Sequence, residues 1–285
     1  MGLDRIKDVV KPTSLDEAIS LLRERGPSAG LLGGGVSLVR YAPAHLTTLI
    51  DLSALPIDYV KEDAGCVRIG AATTLRDILD HPLLAGYLDG VIVKMLRQVA
   101  SPLLRNLATI GGALVSADPW SDIITLFLAL GARVAVYDGE SASLPLAEIY
   151  PTRSRLGGAI LTEVVLPAPL PGAAAAFCKF NRTGFDIAVL NCACQVQLQD
   201  ERCVVASVVI GGTPRLATSI PEVEDILTGR PLTDETIEQA AAAARDAAGV
   251  REDRRASAEY RRQLVLVGVG RCLRQIKDDL VGRDR

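Results

Sequence analysis

The chain of 285 residues predicts an α+β fold. Helix-period and strand-like apolar segments intermingle without a regular βαβ repeat. Two glycine loops, Leu32-Gly33-Gly34-Gly35-Val36-Ser37-Leu38 and Thr109-Ile110-Gly111-Gly112-Ala113, sit at junctions between such segments. A proline-rich stretch, Leu166-Pro167-Ala168-Pro169-Leu170-Pro171-Gly172, cannot lie in a helix or a central strand and divides the chain. These features predict two domains, residues 1–170 with two α+β subdomains and residues 171–285.

The elements follow in order. Ser14 and Glu17 form a capping box that opens a helix with Leu15, Ala18, Ile19 and Leu22 on its apolar side, ending at Gly26. A short strand then enters the first glycine loop. Leu46–Leu52 and Cys66–Gly70 read as strands, Leu75–Leu79 as a short helix, and residues 91–100 as helical. After the second loop, Asp118 is expected to cap a helix with Pro119 at its first position. Ile123, Ile124, Phe127, Leu128 and Leu130 bury it, Gly131 stops it, and Ala132–Tyr137 returns as a strand. Beyond the prolines, strands at 174–181, 189–198 and 203–210 form an antiparallel set. A helix runs from Thr233 to Ala248. The last helix starts near Ser257, with Tyr260, Leu264, Val267, Val269 and Leu273 as its apolar side.

Composition excludes several function classes. Charged residues make up 23% of the chain, the net charge is −3 and aromatics are only 4%, so neither a basic footprint nor a base-stacking platform for nucleic acid is present. Residues Met1–Asp8 mix charges and lack the apolar core of a signal peptide, and no apolar run approaches a membrane span, so a cytoplasmic protein is expected. The six cysteines show no C-x-x-C spacing, and His45 and His81 are the only histidines, so no metal site and no catalytic side chain is assigned. Alternation along Cys192-Ala193-Cys194 places both sulfurs on one strand face as buried thiols.

The glycine loops carry the chemistry. Successive glycines strip side chains from a turn, so that backbone N–H groups can meet a phosphate. The first loop follows a strand and the second precedes a helix, a geometry suited to an anion cradle. Each such charge-assisted bond contributes about 1.5–3 kcal/mol, so about half a dozen would hold a two-charge pyrophosphate without a lysine. Gly-Gly pairs also mark ordinary tight turns.

The segment Arg105-Asn106-Leu107-Ala108-Thr109-Ile110-Gly111-Gly112-Ala113-Leu114-Val115-Ser116-Ala117-Asp118-Pro119-Trp120-Ser121-Asp122 decides between these readings. It resembles the R-N-x-x-T-I-G-G-N-x-x-x-A-x-P-x-x-D signature of the FAD-binding subunits of molybdenum hydroxylases, the medium chains of the carbon monoxide dehydrogenase and xanthine dehydrogenase family. Lys179-Phe180-Asn181-Arg182-Thr183-Gly184 and Arg255-Ala256-Ser257-Ala258-Glu259-Tyr260-Arg261-Arg262 resemble the family patterns K-F-x-R-R-x-G and R-x-S-A-E-Y-R-R. The resemblance spans about residues 5–278.

What the resemblance implies is specific. Residues 1–170 would be the FAD-binding domain, and 171–285 a C-terminal domain of three antiparallel strands and a helical bundle. Leu31, Leu32, Gly33, Gly34, Gly35, Val36, Ser37 and Leu38 would wrap the pyrophosphate and ribityl chain of FAD. Thr109, Ile110, Gly111, Gly112 and Ala113 would approach from the other side. Asp122 matches a family aspartate that contacts the cofactor, although an acid there also serves the helix dipole alone. Lys179 matches a family lysine near the flavin, with a solvated strand lysine as the alternative; Ile160 and Leu161 match apolar positions beside the isoalloxazine, although the residues by themselves read as strand core.

The implied function is an electron-transfer subunit. A large molybdopterin-binding chain and a small chain with [2Fe-2S] clusters would be its partners in a paired heterotrimer, with an external acceptor taking the electrons. The alternatives are a stand-alone flavin oxidoreductase of the same fold and a cofactor-free scaffold subunit. Three features depart from the family pattern: apolar Val36, apolar Ala113 and a short segment after Leu38. Each apolar change removes a side-chain bond of about 1 kcal/mol, so weaker FAD retention, by roughly tenfold or more, is expected.

Overall fold

Strand pairing sorts the chain into three sheets in the computed structural model, which describes residues 2–151, 156 and 158–283. The strands are β1 (Asp8–Val10), β2 (Ala29–Leu32), β3 (Thr48–Asp51), β4 (Val60–Asp63), β5 (Cys66–Gly70), β6 (Arg133–Tyr137), β7 (Ser141–Pro145), β8 (Ile160–Leu166), β9 (Ala173–Phe180), β10 (Leu190–Gln199), β11 (Arg202–Gly211) and β12 (Thr218–Ser219). The chain forms two compact units. One takes the chain up to Leu83, with Ser101–Ser116 and Ala132–Pro167; the other takes Leu84–Ala100, Ala117–Gly131 and Ala168–Arg285.

The first unit holds a parallel sheet, β1-β3-β2, and a five-stranded sheet, β4-β5-β8-β6-β7, whose pairings are all antiparallel. The helix Leu15–Arg25 packs on β2 and β3 through buried Ala18 and Ile19. Its capping box is offset by one residue. Ser14 Oγ accepts from Glu17 N–H at 3.1 Å, but the Glu17 carboxylate reaches back to Thr13 N–H at 2.8 Å. Central strand β8 is buried along most of its length, Glu163 included, so its apolar residues do not alternate with polar ones.

The second unit is built on the antiparallel sheet β12-β11-β10-β9. The three long strands were expected; the two-residue β12 extends them. Alternation sends neighbouring side chains of β10 to opposite faces. Cys192 and Cys194 face the helix Ala258–Arg283, where Cys192 Sγ lies 3.9 Å from Cys272 Sγ. Asn191 faces the helix Asp122–Ala129. β10 is thus covered on both sides. Leu264, Val265, Val269, Cys272, Leu273 and Ile276 form the buried stripe of the last helix. Tyr260 and Val267, expected on that stripe, are exposed, because helical rotation carries them off the face that the sheet covers.

A second correction concerns the helix after the second loop. It starts at Asp122, capped by Ser121, whose Oγ accepts from Ile124 N–H at 3.2 Å. Asp118 and Pro119 instead belong to a turn closed by Ser121 N–H to the Asp118 carbonyl at 3.0 Å. A serine oxygen three residues before a free amide satisfies the helix end, and the turn leaves Asp118 outside it.

The R-x-S-A-E-Y-R-R segment is a structural latch. The Arg261 side chain is fully buried. It donates to the carbonyls of Val189, Arg251 and Ala256 at 3.1, 2.6 and 3.0 Å, and to Asp253 Oδ1 at 2.7 Å. Arg255 donates to the Ala188 carbonyl at 2.9 Å. Rigid guanidinium forks, which lysine lacks, tie the start of the last helix to the segment that leads into β10.

Candidate functional site

The two glycine loops meet in the first unit. β2 ends at Leu32, and Gly35 in the left-handed region (φ +75°) turns the chain into the helix Val36–Tyr41. Leu31 lies in the sheet and Ser37 and Leu38 in the first helical turn. A Cβ on Gly34 would overlap the carbonyl oxygen of Leu107, and one on Gly33 would lie 2.8 Å from Thr109 Oγ1. The glycines therefore serve close approach of one loop to the other, beyond merely uncovering the backbone.

The second loop is anchored differently from the first. Gly111 and Gly112 lie within the first turn of the helix Ile110–Ser116. Ile110 N–H donates to the Thr73 carbonyl at 3.0 Å, Gly111 N–H to the Ala71 carbonyl at 2.9 Å, and Gly112 N–H to Thr109 Oγ1 at 3.2 Å. Ala113 N–H donates to the Thr109 carbonyl at 3.0 Å. These four amides are engaged inside the protein. By contrast, the helix that begins at Val36 has no side-chain cap, and helix geometry gives the Val36 and Ser37 N–H groups no intrahelical acceptor. The first loop presents donors, and the second presents a fixed wall.

This cradle fits the pyrophosphate of a dinucleotide: it has backbone donors at a helix start, and glycines where side chains would close it. Ile160 and Leu161 are buried in β8, paired with Tyr137 and Val136. In the same unit, Glu163 Oε2 accepts from Tyr59 Oη at 2.6 Å, and Arg68 grips both carboxylate oxygens at 3.0 and 2.9 Å. Burial, and then the bond to Glu163, pushes the Tyr59 phenol up to about 12.

Asp122 and Lys179 belong to the second unit. Lys179 Nζ lies 2.7 Å from Asp122 Oδ2, with side chains only 2% and 6% exposed. The reading of Lys179 as a solvated strand lysine is therefore overturned. Lys179 also donates to the Gln98 carbonyl at 2.9 Å. Burial pushes the Asp122 carboxyl up, opposed by the Lys179 charge and by hydrogen bonds from Lys179 and Asn191. Sequence reasoning missed Asn191, Thr125, Ala71 and Thr73. Only Asn191 left a signal, as an amide inside the apolar run Ala188–Cys194.

The fold and the cradle define an α+β protein with two opposed glycine loops. Residues 4–169 match the family described as "FAD binding domain in molybdopterin dehydrogenase", and residues 175–276 match "CO dehydrogenase flavoprotein C-terminal domain". The chain belongs to this family of FAD-binding oxidoreductase components, of the medium-subunit type. It is 29% identical over 280 residues to the carbon monoxide dehydrogenase medium chain of Afipia carboxidovorans, covering 95% of this chain and 96% of that one. It is 29% identical over 276 residues to the 6-hydroxypseudooxynicotine dehydrogenase complex subunit alpha of Paenarthrobacter nicotinovorans, covering 93% of each. Among solved structures, a carbon monoxide dehydrogenase chain from Hydrogenophaga pseudoflava superposes with a TM-score of 0.89 at 26% identity, covering 96% of this chain and 98% of that one. No described helix is long and apolar enough to cross a membrane. Among the described residues, no cluster of three or more His, Cys, Asp or Glu could hold a metal.

Proposed function

We propose that this chain is the electron-transfer flavoprotein subunit of a molybdenum hydroxylase complex. Its partners in this reading are a large molybdopterin-binding chain and a small chain carrying [2Fe-2S] clusters, assembled as a paired heterotrimer in the cytoplasm. Electrons arrive from the small chain and leave to an external acceptor. The mutual fit of Gly33 and Gly34 against Leu107 and Thr109 is the observation that supports the reading most, because it makes one cradle from two loops.

Bound FAD supplies the redox chemistry at this site. The chain's residues supply position and field. Leu31 and Leu32 lead into the cradle, and Gly33–Gly35 keep it open. The N–H groups of Val36 and Ser37 would donate to pyrophosphate oxygens, with Leu38 in the same helical turn. Thr109 and the helix start Ile110–Ala113 form the opposing wall. Ile160 and Leu161 are assigned apolar packing, and Lys179, charge-balanced by Asp122, a cationic role toward the cofactor. The functional division is placed at 170/171, with FAD binding in 1–170.

Cofactor-free scaffolding is the second reading. It draws on the engaged amides of residues 110–113 together with the apolar Val36 and Ala113. Flavin released by acid from this chain, produced alone and with its two partners, separates the readings. About one FAD per chain in the complex is expected, with less retained by the chain alone. A complex loaded with molybdenum and iron but lacking flavin would favour the scaffold.

A further inference from the structure

We infer that Asn191, braced by Thr125, is a positioning residue that fixes the Asp122–Lys179 ion pair and through it tunes the field at the cofactor. The second half of the inference rests on the proposed cationic role of Lys179.

Each link has a short, directed hydrogen bond. Asn191 is fully buried in β10, and its Nδ2 donates to Asp122 Oδ1 at 2.7 Å. Lys179 holds the other carboxylate oxygen at 2.7 Å, so both oxygens of Asp122 are engaged. Thr125 Oγ1 lies 2.9 Å from Asn191 Oδ1 and 3.1 Å from the Ser121 carbonyl oxygen, with its hydroxyl as donor. The carboxylate of Asp122 only accepts, so it takes the NH2 end of Asn191; the amide oxygen then faces Thr125, whose single hydroxyl proton is shared between that oxygen and the Ser121 carbonyl.

Room has been left for this arrangement. A Cβ on Gly211, in neighbouring strand β11, would overlap both Thr125 Oγ1 and Asn191 Oδ1. Burying a lone carboxylate is costly unless it is both paired and hydrogen-bonded. Lys179 provides the pairing and Asn191 the second bond. Without Asn191, a carboxylate that burial already disfavours takes up a proton more readily, and the Lys179 charge loses its counter-charge.

The test uses Asn191→Leu and the isosteric Thr125→Val, with two readouts. The Nζ resonance of Lys179 in protein carrying 15N-lysine reads the pair without any cofactor. Both variants are expected to shift it, Asn191→Leu more, while the remaining lysine resonances stay in place. An unmoved Lys179 resonance overturns the positioning role. In the flavin-loaded complex, both variants are expected to raise the flavin midpoint potential, since an uncompensated cation favours a negatively charged reduced flavin. A lowered melting temperature with an unchanged potential would make the network purely structural and overturn the tuning role. Absence of flavin from the wild-type complex would refute the proposed function, while the resonance would still decide the positioning of Lys179.

Discussion

At Gly34 one methyl group decides whether two loops can meet. The carbonyl oxygen of Leu107 occupies the space a side chain would need, and a backbone oxygen cannot swing aside. Gly34→Ala is expected to cost about 1–3 kcal/mol as an overpacking change. It should also weaken FAD binding at least tenfold, equivalent to about 1.4 kcal/mol. Thermal unfolding and a flavin titration check the two effects. Wild-type melting and wild-type affinity in the Gly34→Ala variant would show that the loops do not need this approach. The reason for the glycine was only half legible in the sequence. Spacing marked the loop as a backbone surface, but the carbonyl of Leu107 becomes its neighbour only through tertiary contact.

Elements with strong local signals were read closely. Ser14 caps the helix it was expected to open, Thr233 caps the helix expected to run from it, and the three long strands of the second unit lie within about two residues of expectation. The errors arose where tertiary structure chose between equivalent local options. Ser121 outcompeted Asp118 as a cap, and the stripe of the last helix rotated away from Tyr260 and Val267. The Asp122–Lys179 pair also needed the fold, since 57 positions separate the partners. The last helix offers a paired test. A Cβ at Gly268 would lie 2.7 Å from Cys192 Sγ and 3.0 Å from the Phe180 ring, whereas one at Gly270 would meet Arg274 Nη1, the far end of a flexible side chain, at 3.2 Å. Gly268→Ala should therefore destabilise by about 1–3 kcal/mol. Gly270→Ala should stabilise by up to about 1 kcal/mol through helix propensity. Denaturant midpoints of the two variants check this, and shifts of the same sign would contradict the packing of this helix on β9 and β10.

For the whole molecule, titrating groups set limits at both ends of the pH scale. At Asp253, burial acts to raise the carboxyl, but the Arg261 hydrogen bond, with the amides of Arg255 and Ala256, outweighs it and holds the group at about 2. A carboxyl depressed in the folded state adds stability above its unfolded value of about 3.9, and that stability is lost as pH falls. Tyr59 has the opposite sense. Its phenol, raised to about 12, adds stability below its unfolded value of about 10, lost as pH rises toward 12. Unfolding free energy is thus expected to fall between about pH 4 and 2 and again between about pH 10 and 12. Arg261→Met should remove the acid-side contribution of Asp253, and Tyr59→Phe the alkaline one. Denaturant melts across pH check both, and an acid limb of unchanged size in Arg261→Met would contradict the latch.

The central claim is that the first glycine loop holds the pyrophosphate of FAD through the amides at Val36 and Ser37. Val36→Asp tests it most directly. A carboxylate at the first position of the helix Val36–Tyr41 favours the helix dipole by about 0.3–1 kcal/mol, so the fold is retained, yet it sets negative charge against the phosphates. FAD affinity, titrated on the cofactor-stripped complex, should fall at least tenfold, about 1.4 kcal/mol, with melting of the stripped protein unchanged or slightly raised. Unaltered affinity in Val36→Asp would contradict the account and place the cofactor away from this cradle.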